Sequence, residues 1–159
     1  MRCLDDQEDT KVTAKAAQKE TLSTILIGRW EQTGRKLATL AQEFPEAQYE
    51  STPADGVRTF GDVLRHVAFW NQYVADTARG KTADETSNEL PKTQYATKAR
   101  IIEVLERSTA EAGAALREAE LEPKTAEMVV SFIEHMSEHY GQLVVYARLN
   151  GIVPPASRA

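Results

Sequence analysis

Cysteine, histidine and long apolar runs are the scarce features of this 159-residue chain, and each scarcity removes a class of function. The single cysteine, Cys3, has no second thiol with which to form an intramolecular disulfide, and it sits in a charged N-terminal stretch that reads as frayed. No role is assigned to it. No apolar run approaches the roughly 18 to 20 residues that span a bilayer, and the first twenty residues are polar, without a signal-type hydrophobic stretch. A soluble, cytoplasmic protein with no membrane partner is therefore expected. Lysine and arginine number 19 against 24 acidic residues, a net charge of −5, and no cluster of them could track a phosphate backbone, which argues against nucleic acid as a partner. No segment alternates with the two-residue period of a strand, and no internal repeat or low-complexity tract interrupts the chain.

What is present is helical periodicity and enough apolar residue, 42% of the chain, to form one core. From about Lys19 to Phe44, Leu22, Leu26, Trp30, Thr33, Leu37, Leu40 and Phe44 recur at spacings of three and four and define one stripe, closed by Pro45. Residues 45–58 hold Pro53, Asp55 and Gly56 without sustained period and read as a surface connection. Thr59 and Asp62 form a variant capping box for a second helix, whose stripe is Val63, Val67, Trp70 and Val74 and whose C′ residue is Gly80. Residues 81–92 are polar again. A third helix is expected from about Thr93 to Glu120, with Ile101, Leu105, Ser108, Ala112 and Ala115 on one face, and a fourth from about Thr125 to Leu149, ending at Asn150 and Gly151. Four helices of about 20 to 27 residues pack naturally as an all-α four-helix bundle, and the connection between the second and third is a long crossover, long enough to cross the bundle end, so that adjacent helices there need not be antiparallel. Residues 1–18 read as a flexible N-terminal segment and 19–155 as the bundle domain.

The three histidines carry the chemistry. His135 and His139 lie one turn apart on the flank of a broad apolar face formed by Val129, Phe132, Ile133, Met136, Tyr140, Leu143, Val144 and Ala147. Residues four apart point the same way, with Cβ atoms about 5–6 Å apart, which suits two imidazoles converging on one ion. His66, between Val63 and Trp70 in its own stripe, also borders the core. Alone it reads as an ordinary core or rim residue. Because every histidine of the chain falls on an inward-leaning helical position, a shared metal site of His66, His135 and His139 is favoured. Competing metal patterns fail on spacing. His135, Glu138 and His139 match H-x-x-E-H, but no Asp or Glu follows Tyr140 to complete it; Met136 breaks H-E-x-x-H; and Val63, Phe132 and Met136 stand where a di-iron bundle needs glutamate three residues before each histidine.

Three neutral imidazoles leave the ion's charge uncompensated and a coordination position open, so the pattern points to a catalytic rather than a structural site, for zinc, nickel, copper or iron alike. Asp62 and Ser131, each four residues before a histidine, are candidates to accept the second ring N–H, against plainer roles as a helix cap and a polar helix position. Glu134 and Glu138 are expected to face solvent, and Asn71, Tyr73, Tyr140, Gln142 and Tyr146 either line the pocket or pack in the core. Three functions follow: an enzyme in which the ion activates a bound water or thiol as a nucleophile; a non-catalytic metal-binding or stress-response module; and a bundle whose histidines never meet metal.

The stretches "RTFGDVLRHVAFWNQY" around His66 and "HMSEHYGQLVVYARLNGIVPP" around His135 and His139 resemble the DinB-like superfamily of metal-binding four-helix bundles. With the helical plan, the likeness runs from about Leu22 to Pro155. It implies a divalent ion, most often nickel or zinc, and frequently a homodimer. It also implies a place among transferases and isomerases that use bacillithiol, mycothiol or glutathione, which makes the enzyme expected here one whose ion activates a low-molecular-weight thiol or a water against a small electrophile, a thiol S-transferase or hydrolase acting on a small-molecule substrate. Fold similarity does not carry a substrate with it.

Overall fold

The computed structural model describes residues 21–119 and 121–158; the expected N-terminal segment and Cys3 lie outside them. Four helices account for the architecture: α1 (Leu22–Glu43), α2 (Phe60–Ala78), α3 (Lys98–Glu118) and α4 (Pro123–Leu149), and no strand occurs among the described residues. None of these helices is long and apolar enough to cross a membrane.

Local chemistry sets the helix ends. Thr21 and Thr24 close a reciprocal cap on α1, and Thr59 and Asp62 do the same on α2, each side chain taking the other's orphan amide. Past the end of α2, Gly80 takes φ +70°, which allows the Lys81 amide to reach back to the Asp76 carbonyl and the Gly80 amide to reach Thr77. Two expected starts move. The third helix begins at Lys98 rather than near Thr93, because residues 91–95 form a turn on the Pro91 carbonyl and the Tyr95 carbonyl is taken by Arg65; Thr97 then supplies the cap. The fourth begins at Pro123, two residues earlier than expected, since a proline in the first turn has no amide that the helix would need.

The helices form a square in which α1 neighbours α3 and α4, and α2 neighbours the same two; α1 and α2 are diagonal. The direction of each helix follows from its side-chain contacts. Phe44 at the end of α1 stacks on Phe60 at the start of α2, with centroids 3.7 Å apart. Asn71 of α2 and Arg79, the residue just past its end, meet Ser108 and Glu111 of α3 in ascending order, so those two run parallel. Residues 79–97 therefore return along α2 as the expected long crossover, touching Tyr73 through Glu85, His66 through Asn88 and Arg65 through Leu90 and Tyr95. A buried Arg65 fastens this strap: its guanidinium binds the Tyr95 carbonyl, Asp62 and Glu50, and Glu50 in turn binds Lys92.

The core sits on the bundle axis, with Trp30, Leu37, Phe60, Leu64, Leu105, Met136 and Leu143 almost wholly buried. Leu22, expected in the first stripe, is exposed at the first position of α1. The small residues that weaken the pattern of α3 have a packing purpose: Trp30 Nε1 donates to the Thr109 carbonyl at 3.0 Å, and Gly34 lies directly against the Thr109 side chain. A methyl group at Gly34 would stand 2.2 Å from Thr109 Cγ2. Thr109 cannot rotate freely, since its hydroxyl donates to Leu105 and accepts from Asn71. Gly34→Ala is expected to cost about 1–3 kcal/mol in urea unfolding despite the better helix propensity of alanine. A more stable variant would show that the α1–α3 seam yields without loss.

Candidate metal centre

Antiparallel packing of α2 against α4 sets His66 opposite the His135–His139 pair. His66 Nε2 lies 2.9 Å from His135 Nε2, and His139 Nε2 lies 3.2 Å from the same atom. The three rings offer ligand atoms that all lie within 4.8 Å of one another. An ion with bonds of about 2.0–2.1 Å to each nitrogen holds them about 3 Å apart, so the rings need only small adjustments to share one.

The outer nitrogens decide which ring atoms are free to bind. His66 Nδ1 is 2.6 Å from the Asn88 carbonyl, an acceptor only, so Nδ1 carries the proton and Nε2 presents a lone pair. His139 Nδ1 donates to Gln142 Oε1 at 2.9 Å; the amide's orientation is set in turn because its nitrogen donates to the Tyr146 hydroxyl, which donates to the Arg58 carbonyl. His139 Nε2 is thereby also a lone pair. His135 Nδ1 is buried without a hydrogen-bond partner among the described residues. With no cation present, only one of the two Nε2 contacts can be a hydrogen bond at a time, because a single proton on His135 cannot serve both neighbours. A divalent cation satisfies all three nitrogens at once, and the donor set of three imidazoles fits it.

Burial dominates the electrostatics. It pushes His66 down to about 4, with the Asn88 carbonyl acting the other way, and the charges of His139 and Arg58 adding smaller decreases. Burial likewise pushes His135 to about 4, helped by His139, His66 and Arg58. Both are therefore neutral at pH 7, and becoming ligands requires no net loss of a proton. A consequence can be measured on chelator-stripped protein. Above the ordinary histidine pKa of 6.5, both rings are neutral folded or unfolded; between 6.5 and about 4 the unfolded chain takes up protons that the folded one refuses. Stability is expected to fall as pH drops through that window, and urea midpoints that stay constant from pH 7 to pH 5 in the metal-free protein would contradict it.

One side of the triad is aromatic: Trp70 meets the His66 and His135 rings edge-on at 6.3 and 6.4 Å, and Phe132 meets His135 at 5.9 Å, with Tyr73 packed on both aromatic neighbours. Arg58, paired with Glu89, lies near the other. Of the candidate acceptors, Asp62 does not serve His66; it caps α2 and binds Arg65 at 2.6 Å. Ser131 is exposed and does not serve His135, and Glu134 and Glu138 are exposed as expected. Asn71 points away, to Ser108 and Thr109 of α3, and the Tyr140 ring takes the Lys36 ammonium on the α1 side. Gln142 and Tyr146 belong to the site. Asn88 had no sequence signal, because it acts through its carbonyl; the only trace is residue type, since asparagine tolerates the φ of +59° it adopts. Its side chain accepts from Trp70 Nε1 at 3.1 Å, tying strap and aromatic wall together.

Fold and geometry together define a four-helix bundle in which two antiparallel helices present three imidazoles able to hold a divalent cation. Residues 29–143 match the model of the DinB superfamily, and the chain belongs to that family, which includes metal-binding enzymes. No curated protein is similar enough in sequence to match it.

Proposed function

We propose that this protein is a metal-dependent enzyme in which His66, His135 and His139 hold one divalent ion, zinc or nickel, beside a low-molecular-weight thiol or a water that attacks a small electrophile. The observation that carries the reading is the meeting of three Nε2 atoms, two of them already presenting lone pairs. A bound ion of this kind would lower the pKa of a thiol or water at its open position and supply a nucleophile at neutral pH. The chain's own residues do the rest. Burial keeps His66 and His135 neutral, Asn88 and Gln142 hold two rings in orientation, and Trp70 and Phe132 shield the group from solvent on one side. Among the described residues no carboxylate joins the group to neutralise the ion, which favours an anionic fourth ligand such as a thiolate. Residence in the cytoplasm and pairing of two copies belong to the same proposal; exposed Val145 and Leu149 on α4 are compatible with such pairing.

A second reading, a metal-binding module without turnover, draws support from the distribution of cavities. A groove of about 500 Å³ runs along the α1–α3 seam past Gly34, Arg35 and Glu106, on the opposite side of the bundle from the α2–α4 pair that carries the histidines. Untagged protein purified without chelators should carry about one ion per chain by elemental analysis. Turnover of a generic electrophile with a panel of thiols, abolished by chelation, supports the enzyme; binding of the ion with no turnover of any thiol or hydrolytic substrate leaves the module. Protein that neither retains nor takes up zinc or nickel would rule out both.

A further inference from the structure

The three histidines are not equivalent, and the difference lies in their outer nitrogens. Two are committed before any ion arrives: His66 by the Asn88 carbonyl, and His139 by a relay through Gln142 and Tyr146 to the Arg58 carbonyl. Of the three, His135 has a buried outer nitrogen that meets no partner among the described residues. Its inner nitrogen lies between the other two, 2.9 and 3.2 Å away. In the metal-free protein a proton on Nδ1 of His135 would gain no hydrogen bond and would leave three lone pairs facing one another. A proton on Nε2 gains a bond to His66 or His139.

We infer that His135 is the switching ligand of the centre: it holds its proton on Nε2 in the metal-free protein and on Nδ1 in the loaded one, while His66 and His139 keep a single tautomer throughout. The step balances, because the proton leaving Nε2 passes to solvent as the cation takes its place, and one proton returns from solvent to Nδ1. Gln142 is the positioning residue that keeps His139 out of this exchange, and its own orientation depends on the Tyr146 hydroxyl. The inference rests on the metal reading for its second state only; the first is a property of the protein alone.

The test is long-range proton–nitrogen NMR on the full chain labelled at histidine nitrogen, at pH 7.5, with the three rings assigned by single His→Gln variants. Metal-free protein should show two rings protonated at Nδ1 and His135 protonated at Nε2; one equivalent of zinc should convert His135 alone, so that all three carry the proton on Nδ1. Gln142→Leu should leave the His139 tautomer mixed and weaken zinc binding about 10–100-fold in competition with a chelator, and Gln142→Glu should restore both. Metal-free His135 protonated at Nδ1, or a Gln142→Leu variant with unchanged His139 tautomer and zinc affinity, overturns the inference even where zinc binds. The expected metal-free pattern with no response to zinc instead overturns the metal reading and the loading step with it.

Discussion

Zinc is expected to stabilise the intact chain against heat, and alanine in place of His139 should erase that stabilisation. A ligand that binds only the folded state stabilises it by RT ln(1 + [L]/Kd), about 2.7 kcal/mol when free zinc stands at a hundred times Kd. For a domain of this size that is a rise in Tm of about 5–10 °C. His139 reaches the group from the same helix as His135, and removing it leaves two imidazoles, one on each helix, to hold the ion. His66→Ala should do the same and also cut the only ligand from α2. The measurement is the difference in Tm with and without zinc, so a change in the metal-free stability of either variant cancels. Glu138→Gln is the control, because Glu138 is exposed and outside the histidine group. If His139→Ala keeps the full zinc-dependent shift and about one ion per chain, the three rings do not share a cation.

The second large effect concerns a residue that binds no ion. Arg65 is 1% exposed and spends its guanidinium on three acceptors from three segments: Asp62 at 2.6 Å, Glu50 at 3.0 Å and the Tyr95 carbonyl at 2.9 Å. Arg65→Leu is expected to destabilise by about 3 kcal/mol in urea, toward the lower end for a broken buried ion pair, since the two carboxylates keep partial contact with water. Asp62 should register the loss: the guanidinium now helps hold its carboxyl below the usual range against the effect of burial, and that help goes with it. The Leu variant frees the strap carrying Asn88, so zinc affinity should fall together with stability. Arg65→Lys should not rescue either, because one ammonium on a flexible stem cannot reach all three acceptors in fixed geometry. A Leu variant within about 0.5 kcal/mol of the parent would mean that the strap is held elsewhere.

Much of this was legible in the residues, and for a common reason. Thr59 and Asp62 announce a helix start because a cap is made between residues three apart, and Gly80 announces an end because its backbone can adopt a positive φ without a side chain to clash. His135 and His139 announce a shared direction because four residues make roughly one turn. Asp62 shows where such reading stops. Its spacing allowed it to serve His66, yet Arg65, three residues on, offers a charged donor and takes the carboxylate, while His66 turns to a carbonyl 22 residues away. Gln142 could be named as a site residue but not given its role, since the orientation of its amide depends on a tyrosine and on a main-chain oxygen of another segment.

By itself, then, the sequence determined four amphipathic helices, most of their ends and the inward lean of three imidazoles, all properties of neighbours within a turn. Tertiary structure alone decided that α2 and α4 run antiparallel in the register that sets His66 against His135, 69 residues distant, and that a strap folded back along α2 orients one ring. Those outcomes depend on packing and on main-chain carbonyls. Every residue carries the same carbonyl, so side-chain pattern cannot say which one a histidine will meet.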